Sequence, residues 1–155
     1  MPAATFDPIT IDQLLHDPAM GLLLAEYAQE SSIEGLGAVS PQFDAYLQME
    51  AAGFLHAIGA RVDGDLVGFV LVLVVRNPHY GRVIATTESF FVALHSRSTG
   101  AGMGLLRAAE RLAAETGAIG LLVSAPIGGQ LAKVLEAKGS YRETNRVFFR
   151  GFAHE

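Results

Sequence analysis

The chain has 155 residues, half of them apolar and 17% charged, with a formal net charge of −5. This length fits one domain, 1–155, with a sizeable core, and an acidic balance without a basic run argues against a nucleic-acid partner. No apolar run reaches membrane-spanning length and no signal peptide is visible, so no membrane partner is expected. Cysteine is absent, which excludes disulfides and cysteine chemistry and fits a cytoplasmic protein.

The first 52 residues are predicted to be a helical region. Thr10 is a suitable N-cap for a short helix, which the Asp17-Pro18 pair interrupts before a second helix continues. Ser40 and Pro41 supply the cap and the first-position proline that typically begin a third helix. We expect this region to cover one side of the remaining domain.

From Gly53 onward the hydrophobic pattern changes to that of strands. Apolar runs separated by Asp63-Gly64-Asp65 and by residues 77–81 predict a three-strand antiparallel meander. A helix from about Ala101 to Thr116, a parallel strand, a second helix and one or two final strands within 141–152 should follow. The fold class is therefore α/β (α+β), a mixed and mostly antiparallel sheet with helices on both faces.

One short stretch, "RSTGAGMG" from Arg97 to Gly104, lies between the third strand and the following helix. A helix N-terminus carries unpaired amide groups and the positive end of the helix dipole. Glycines there let a phosphate approach the backbone, and Arg97 adds a guanidinium suited to the same ligand. The stretch therefore predicts a pyrophosphate cradle.

The same glycines allow other interpretations. The glycines could serve only a tight turn and close helix packing. A P-loop needs a Gly-Lys-Ser/Thr ending, which is absent, and a dinucleotide site needs glycines at positions one, three and six after a first strand. Gly100, Gly102 and Gly104 are evenly spaced instead, which ranks a nucleotide-binding domain well below the cradle.

Over roughly 53–152 the chain resembles the GCN5-related N-acetyltransferase (GNAT) superfamily. The resemblance is carried by Val92 and by an Arg-x-x-Gly-x-Gly loop, and the predicted order of elements also matches. It implies that the loop amides bind the pyrophosphate of acetyl-CoA, the co-substrate. The residues implied in cofactor binding are Val92, Arg97, Ser98, Thr99, Gly100, Ala101, Gly102 and Met103.

The same resemblance implies a splayed parallel pair of strands. The pantetheine arm would lie between them along the strand edge near Val92, and the helical first third would face the acceptor. "TESFFV" and "VFFR" also look like acetyltransferase-like proteins of phages and prophages.

The resemblance places the catalytic base at Glu88, four residues before Val92, where it would take a proton from the acceptor amine. The alternative is a carboxylate merely exposed on the strand. The family's tyrosine proton donor falls on Leu135 and its helix-start asparagine on Gly128, so neither is present. Tyr141 is expected to be a packing residue with an exposed hydroxyl.

The predicted function is acetyl-CoA-dependent acetylation of a primary amine, on a small molecule or a peptide, by direct attack in a ternary complex. The alternative is a non-catalytic module that keeps the fold, which the residues at 128 and 135 favour. No metal site is expected, because the five histidines are scattered. Edge strands and the final "RVFFRGF" segment make a homodimer a further expectation.

Overall fold

The structure is a computed structural model that describes residues 3–153. Its centre is a five-stranded sheet in which the strands are adjacent in chain order. The strands are β1 (Ala4–Ile9), β2 (Leu55–Val62), β3 (Asp65–Asn77), β4 (Arg82–Val92) and β5 (Leu121–Leu122). The helices are α1 (Ile11–Leu15), α2 (Met20–Ser31), α3 (Phe43–Ala51), α4 (Ala101–Glu115) and α5 (Gln130–Ala137), with a 3₁₀ helix at Leu94–Thr99.

The predicted meander is confirmed. Each strand from β1 to β4 pairs antiparallel with the next strand along the chain, whereas β4 and β5 pair in parallel. Asp63 and Gly64 form the β2–β3 turn, both with positive φ, 52° and 84°. Two consecutive positive φ values match the right-handed twist of a two-residue hairpin, which is why an Asp-Gly pair predicts it.

Helices lie on both faces of the sheet, as expected. The long helix α4 covers one face, where its alanines and leucines pack on Ile58, Val70 and Val72. On the other face α1 and α2 pack on Leu55, Phe69 and other apolar side chains of the sheet. Because each face of the sheet buries its own apolar cluster, both sides of the sheet are fixed by packing.

The helical prediction for the first 52 residues is correct for α1, α2 and α3 but misses β1. Thr10 forms a full capping box with Gln13 at the start of α1. α3 begins two residues later than expected, with Gln42 as its N-cap. β1 contains Pro8 and lies at the sheet edge, where proline is tolerated.

The strand predictions after α4 are only partly correct. β5 forms a ladder of two residues, opposite Ala85 and Thr86. Within 141–153 the described residues form no strand, and Val147 and Phe148 remain 87% exposed. A two-residue ladder offers too short an edge for further strands to pair on. The homodimer that rested partly on this segment stays a prediction.

Candidate functional site

A β-bulge interrupts the pairing of β3 with β4 at Glu88. Leu71 faces Ser89 and Val72 faces Thr87, so Glu88 is the extra residue. On either side of the bulge the alternation of side chains is normal. Ala85 belongs to the α4-side cluster before the bulge, and Val92 belongs to it after the bulge. Two neighbouring residues, Glu88 and Ser89, therefore point to the opposite face, an effect that a bulge produces by re-aiming a strand.

The face to which Glu88 points contains a cleft of about 240 Å³. Helices α1, α2 and α3 and the loop before α3 form its walls, while β3 and β4 form its floor. Glu88 is half-buried in that floor. The structure thus puts the predicted catalytic carboxylate beneath the helices of the first third.

Hydroxyl groups hold the Glu88 carboxylate in place. The Tyr46 hydroxyl donates to Glu88 Oε1 over 2.7 Å, and the Ser89 hydroxyl donates to Oε2. Tyr27 in turn donates to Ser89 Oγ over 3.5 Å. Burial, and then the hydrogen bond to the Glu88 carboxylate and its charge, raise the pKa of Tyr46 above its ordinary value. Tyr46 therefore stays protonated and remains a donor to Glu88.

Sequence reasoning missed Tyr27, Tyr46 and Ser89. Tyr46 lies 42 positions from Glu88 and Tyr27 lies 62 positions from Ser89, so no local motif links them. The available signal was that a tyrosine on an amphipathic helix needs a partner for its hydroxyl once the ring is buried. That signal does not name the partner.

The predicted cradle residues lie at the start of α4. Arg97, Ser98 and Thr99 belong to the 3₁₀ helix, which replaces the loop that the sequence suggested. Gly100 then joins the two helices in the left-handed conformation, with φ of 82°, and provides no side-chain cap. The N–H of Ala101 donates to Thr99 Oγ1 over 3.3 Å. The amides of Gly102 and Met103 lie in the first turn of α4, where they have no intrahelical partner and no N-cap side chain bonds to them.

The glycines of this stretch have separate roles. A Cβ on Gly102 would only touch Val92 Cγ2, at 3.9 Å, so the helix end there is open. A Cβ on Gly104 would meet the ring of Phe6 at 1.9 Å. Gly104 thus lets β1 pack against α4. The packing interpretation therefore holds for Gly104, whereas the half-buried Gly102 makes no close contact that requires a glycine.

Arg97 is engaged by its own chain. Its Nε donates to the Val92 carbonyl over 3.1 Å, and Nη2 pairs with Glu30 of α2. Its guanidinium also lies 5.3 Å from the centre of the Phe91 ring. Glu26, one turn earlier on α2, accepts the N–H of Leu94 over 3.0 Å. α2 therefore contacts the segment that leads into the cradle through both carboxylates.

The pairing of β4 with β5 ends just before the bulge. The ladder with β5 stops at Thr86 and Leu122, and the N–H of Ser124 then donates to the Thr87 hydroxyl over 3.2 Å. Among the described residues β5 does not pair with β4 from Glu88 to Val92, whereas β3 stays paired with residues 89–92. A bulge bends the strand that carries it, and this bulge lies directly beyond the last residues that pair with β5.

The residues around α5 lie apart from Glu88. Tyr141 donates to Glu110 over 2.6 Å, where burial and this carboxylate raise its pKa. Its hydroxyl is thus bonded rather than exposed as expected. Leu135 is half-buried on α5, and Gly128 precedes that helix with φ of 70°. Residues 3–153 contain no cluster of metal-ligating side chains and no helix able to cross a membrane.

Comparisons with known proteins place the sequence in a family and its fold among solved acetyltransferase structures. The chain matches the acetyltransferase (GNAT) family over residues 10–129. A ribosomal-protein-alanine N-acetyltransferase from Brucella melitensis biovar Abortus 2308 is 22% identical, with a TM-score of 0.71 over 96% of this chain and 99% of that one. An aminoglycoside acetyltransferase from an uncultured soil metagenomic sample is 19% identical, with a TM-score of 0.72 over 97% and 99%. No curated protein sequence matches significantly.

The chain therefore belongs to the acetyltransferase (GNAT) family, since the match spans most of its length. It is an acetyltransferase by family, and acetyl-CoA is the co-substrate of that family. The aminoglycoside acetyltransferase AAC(6')-Iy, solved with a CoA-linked bisubstrate analogue, has the same fold, with a TM-score of 0.67 at 20% identity over 97% of this chain and 99% of that one. The phage-type resemblance stays a prediction.

The described residues fit acetyl-CoA at two places. The open first turn of α4 suits its pyrophosphate, because uncapped amides and the helix dipole both favour an anion. The edge of β4 that β5 leaves unpaired beyond Thr86 suits the amide groups of the pantetheine arm of acetyl-CoA.

Proposed function

We propose that this chain transfers the acetyl group of acetyl-CoA to a primary amine by direct attack, with both substrates bound and Glu88 as the base. One observation carries the proposal: the β4 bulge turns Glu88 into the cleft beneath α1, α2 and α3. A carboxylate merely exposed on a strand would not need a cleft above it or hydroxyl donors on both oxygens.

Glu88 has two tasks in the proposed reaction. Its carboxylate attracts the acceptor as an ammonium ion, and it then accepts a proton so that the nitrogen lone pair is free. Acetyl-CoA supplies the acetyl group as a thioester. A nitrogen–carbon bond forms and the carbon–sulfur bond breaks; the second ammonium proton ends on the CoA sulfur. Tyr46 and Ser89 keep the carboxylate oriented during both tasks.

On the donor side we propose that the chain binds with its backbone. The amides of Gly100, Gly102 and Met103 hold the pyrophosphate, while the hydrogen bond between Thr99 and Ala101 shapes the turn. Ser98 lies within the 3₁₀ helix that leads into this turn, so its amide bonds within that helix instead of to the ligand. Arg97 fixes the start of the cradle through the Val92 carbonyl and through its pairing with Glu30. In this proposal the helices of the first 52 residues form the acceptor side, and residues 53–152 provide the sheet and the donor side.

A non-catalytic module is the second candidate function. It is favoured by Leu135 and Gly128, which stand where the family resemblance implies a tyrosine and an asparagine. A CoA thiolate is a fair leaving group that can take its proton from the amine or from water, so the tyrosine is dispensable for direct transfer.

Glu88→Gln separates the two functions. We expect the rate of CoA release with acetyl-CoA and a primary amine to fall by about 10²–10⁴-fold, the usual contribution of a general base. Binding of acetyl-CoA, measured by calorimetry, should stay unchanged, because Glu88 faces the acceptor cleft.

Glu115→Gln, at an exposed position on α4, is the matched control and should keep full activity. Wild-type protein that binds acetyl-CoA but acetylates no amine would favour the module. Equal activity of Glu88→Gln and wild type would remove Glu88 from the mechanism.

A further inference from the structure

The walls of the acceptor cleft are mostly apolar. Ten of its fifteen lining residues carry apolar side chains, contributed by α1, α2, the loop before α3, α3 itself and β3. Aromatic rings contribute at several depths: Phe69 is buried in the floor, while Phe43 is 36% exposed at the edge. At about 240 Å³ the cleft is smaller than the roughly 300–1,000 Å³ that suits drug-sized ligands.

Glu88 is the only charged side chain among the described residues that line this cleft. This is unexpected from composition, because the first 52 residues contain eight carboxylates and neither lysine nor arginine. Four of those carboxylates are used to join elements of the fold. Asp17 pairs with Arg61, Glu26 with the Leu94 amide, Glu30 with Arg97, and Glu50 with the Ile11 amide.

An acceptor with several ammonium groups would meet few partners in such a cleft. One ammonium group would pair with Glu88, and each further one would lose water against apolar walls without compensation. An acceptor with one amine and an apolar body would gain from burial and could stack on the aromatic rings. This chain shares its fold with aminoglycoside acetyltransferases, but the lining of its cleft does not suit a polycationic acceptor.

We infer that the acceptor is a small primary monoamine with an apolar body, of the arylalkylamine type, bound with its nitrogen at Glu88. This inference rests on the proposed function, since it assigns the acceptor of the same site. The first test compares rates of acetylation of 2-phenylethylamine, putrescine and sisomicin at equal acetyl-CoA. We expect kcat/KM for 2-phenylethylamine to exceed both others by about tenfold or more, as one uncompensated buried charge costs at least that factor.

A peptide beginning with phenylalanine presents the same amine chemistry on a polypeptide. It forms a further arm of the comparison, and a higher kcat/KM for this peptide than for 2-phenylethylamine would overturn the inference of a small-molecule acceptor. A higher kcat/KM for putrescine or sisomicin would overturn the inference while leaving the proposed function intact.

A second carboxylate in the cleft should change this preference. Ser40 lines the cleft from an exposed loop, so Ser40→Asp adds charge without disturbing the core. We expect it to raise kcat/KM for putrescine and lower that for 2-phenylethylamine, each by several-fold. Ala38→Asp, in the same loop but outside the lining, is the control. Unchanged preference in Ser40→Asp would contradict the inference.

A binding measurement separates this inference from the proposed function. Calorimetric titration with 2-phenylethylamine alone, and with putrescine alone, reports on the cleft without any acetyl transfer. Tighter binding of 2-phenylethylamine, with no acetylation of any amine, would refute the proposed function, and with it the acceptor role, while showing that the cleft prefers an apolar monoamine as a ligand. Tighter binding of putrescine would refute the inference whether or not acetylation occurs.

Discussion

The proposed donor side of this site is built from backbone groups, whereas the proposed acceptor side is built from side chains. At the proposed donor side a ligand would meet backbone, because Gly100 turns the chain into α4 and Gly102 adds no side chain to its first turn. At the proposed acceptor side a ligand would meet side chains, with Glu88 held by hydroxyls from α3 and β4. The difference teaches that a backbone site can be specified within a few residues, whereas a side-chain site depends on the whole fold.

The largest effect on acetyl-CoA binding is expected for Gly102→Asp. The new carboxylate lies at the helix N-terminus, where it favours the helix but repels a pyrophosphate. A like charge about 4 Å away costs about 4 kcal/mol near a protein surface. We therefore expect Kd for acetyl-CoA to rise by about 100-fold or more, measured by calorimetry, with no loss of thermal stability. Binding that survives this change would place the pyrophosphate elsewhere.

Gly104→Ala should have the opposite profile, although it lies two residues away. Its Cβ would overlap the Phe6 ring, so β1 or α4 must shift. Overpacking of this kind costs about 1–3 kcal/mol, to be measured by urea unfolding. We expect the folded fraction to bind acetyl-CoA normally. A loss of binding without a loss of stability would assign Gly104 to the cradle as well.

A smaller effect is expected where the two sides meet. The ion pair of Arg97 with Glu30 joins the helix α2 of the acceptor side to the segment before the cradle. Because both side chains are about a third exposed, at 30% and 38%, the pair should contribute only about 0.2–1 kcal/mol. A double-mutant cycle of Arg97→Gln and Glu30→Gln measures this coupling. Zero coupling would mean that the two sides are independent at this contact.

The smallest expected effect is spectroscopic. The chain has four tyrosines, and burial beside a carboxylate raises the pKa of Tyr46 and of Tyr141. The raised pKa keeps both phenols neutral through the ordinary range of tyrosine, so stability that depends on the neutral form is lost only as the pH rises beyond it. In an alkaline absorbance titration, part of the tyrosinate signal should therefore appear only above the ordinary pKa of tyrosine. Tyr46→Phe should reduce this late fraction of the signal. An unchanged late fraction would contradict the bond to Glu88.

The determinants of the proposed donor side are local in the sequence. A glycine-rich stretch between a strand and an amphipathic helix is enough to indicate an open helix N-terminus, and the meander follows from turn residues such as Asp63 and Gly64. The 3₁₀ helix before Gly100 did not follow from the pattern, since its six residues have no distinctive period.

The acceptor side was predicted only as a single residue and a covering region. The family resemblance singled out Glu88, four residues before Val92, but the bulge that turns Glu88 into the cleft depends on the pairing of β4 with β3. Tyr46 could not be assigned because its partner lies on a different element. β1 was missed because the first 52 residues were interpreted as helical throughout. A strand with an internal proline such as Pro8 is tolerated at a sheet edge, and only the assembled sheet shows that β1 lies there.

The separation of the two sides is tested most directly by one calorimetric comparison. Acetyl-CoA is titrated into wild type, Glu88→Gln and Gly102→Asp under identical conditions. The structure predicts equal binding by wild type and Glu88→Gln, in the micromolar range usual for enzyme substrates, and strongly weakened binding by Gly102→Asp. Loss of binding in Glu88→Gln, or no binding by folded wild type, would contradict a backbone donor site separate from the acceptor cleft.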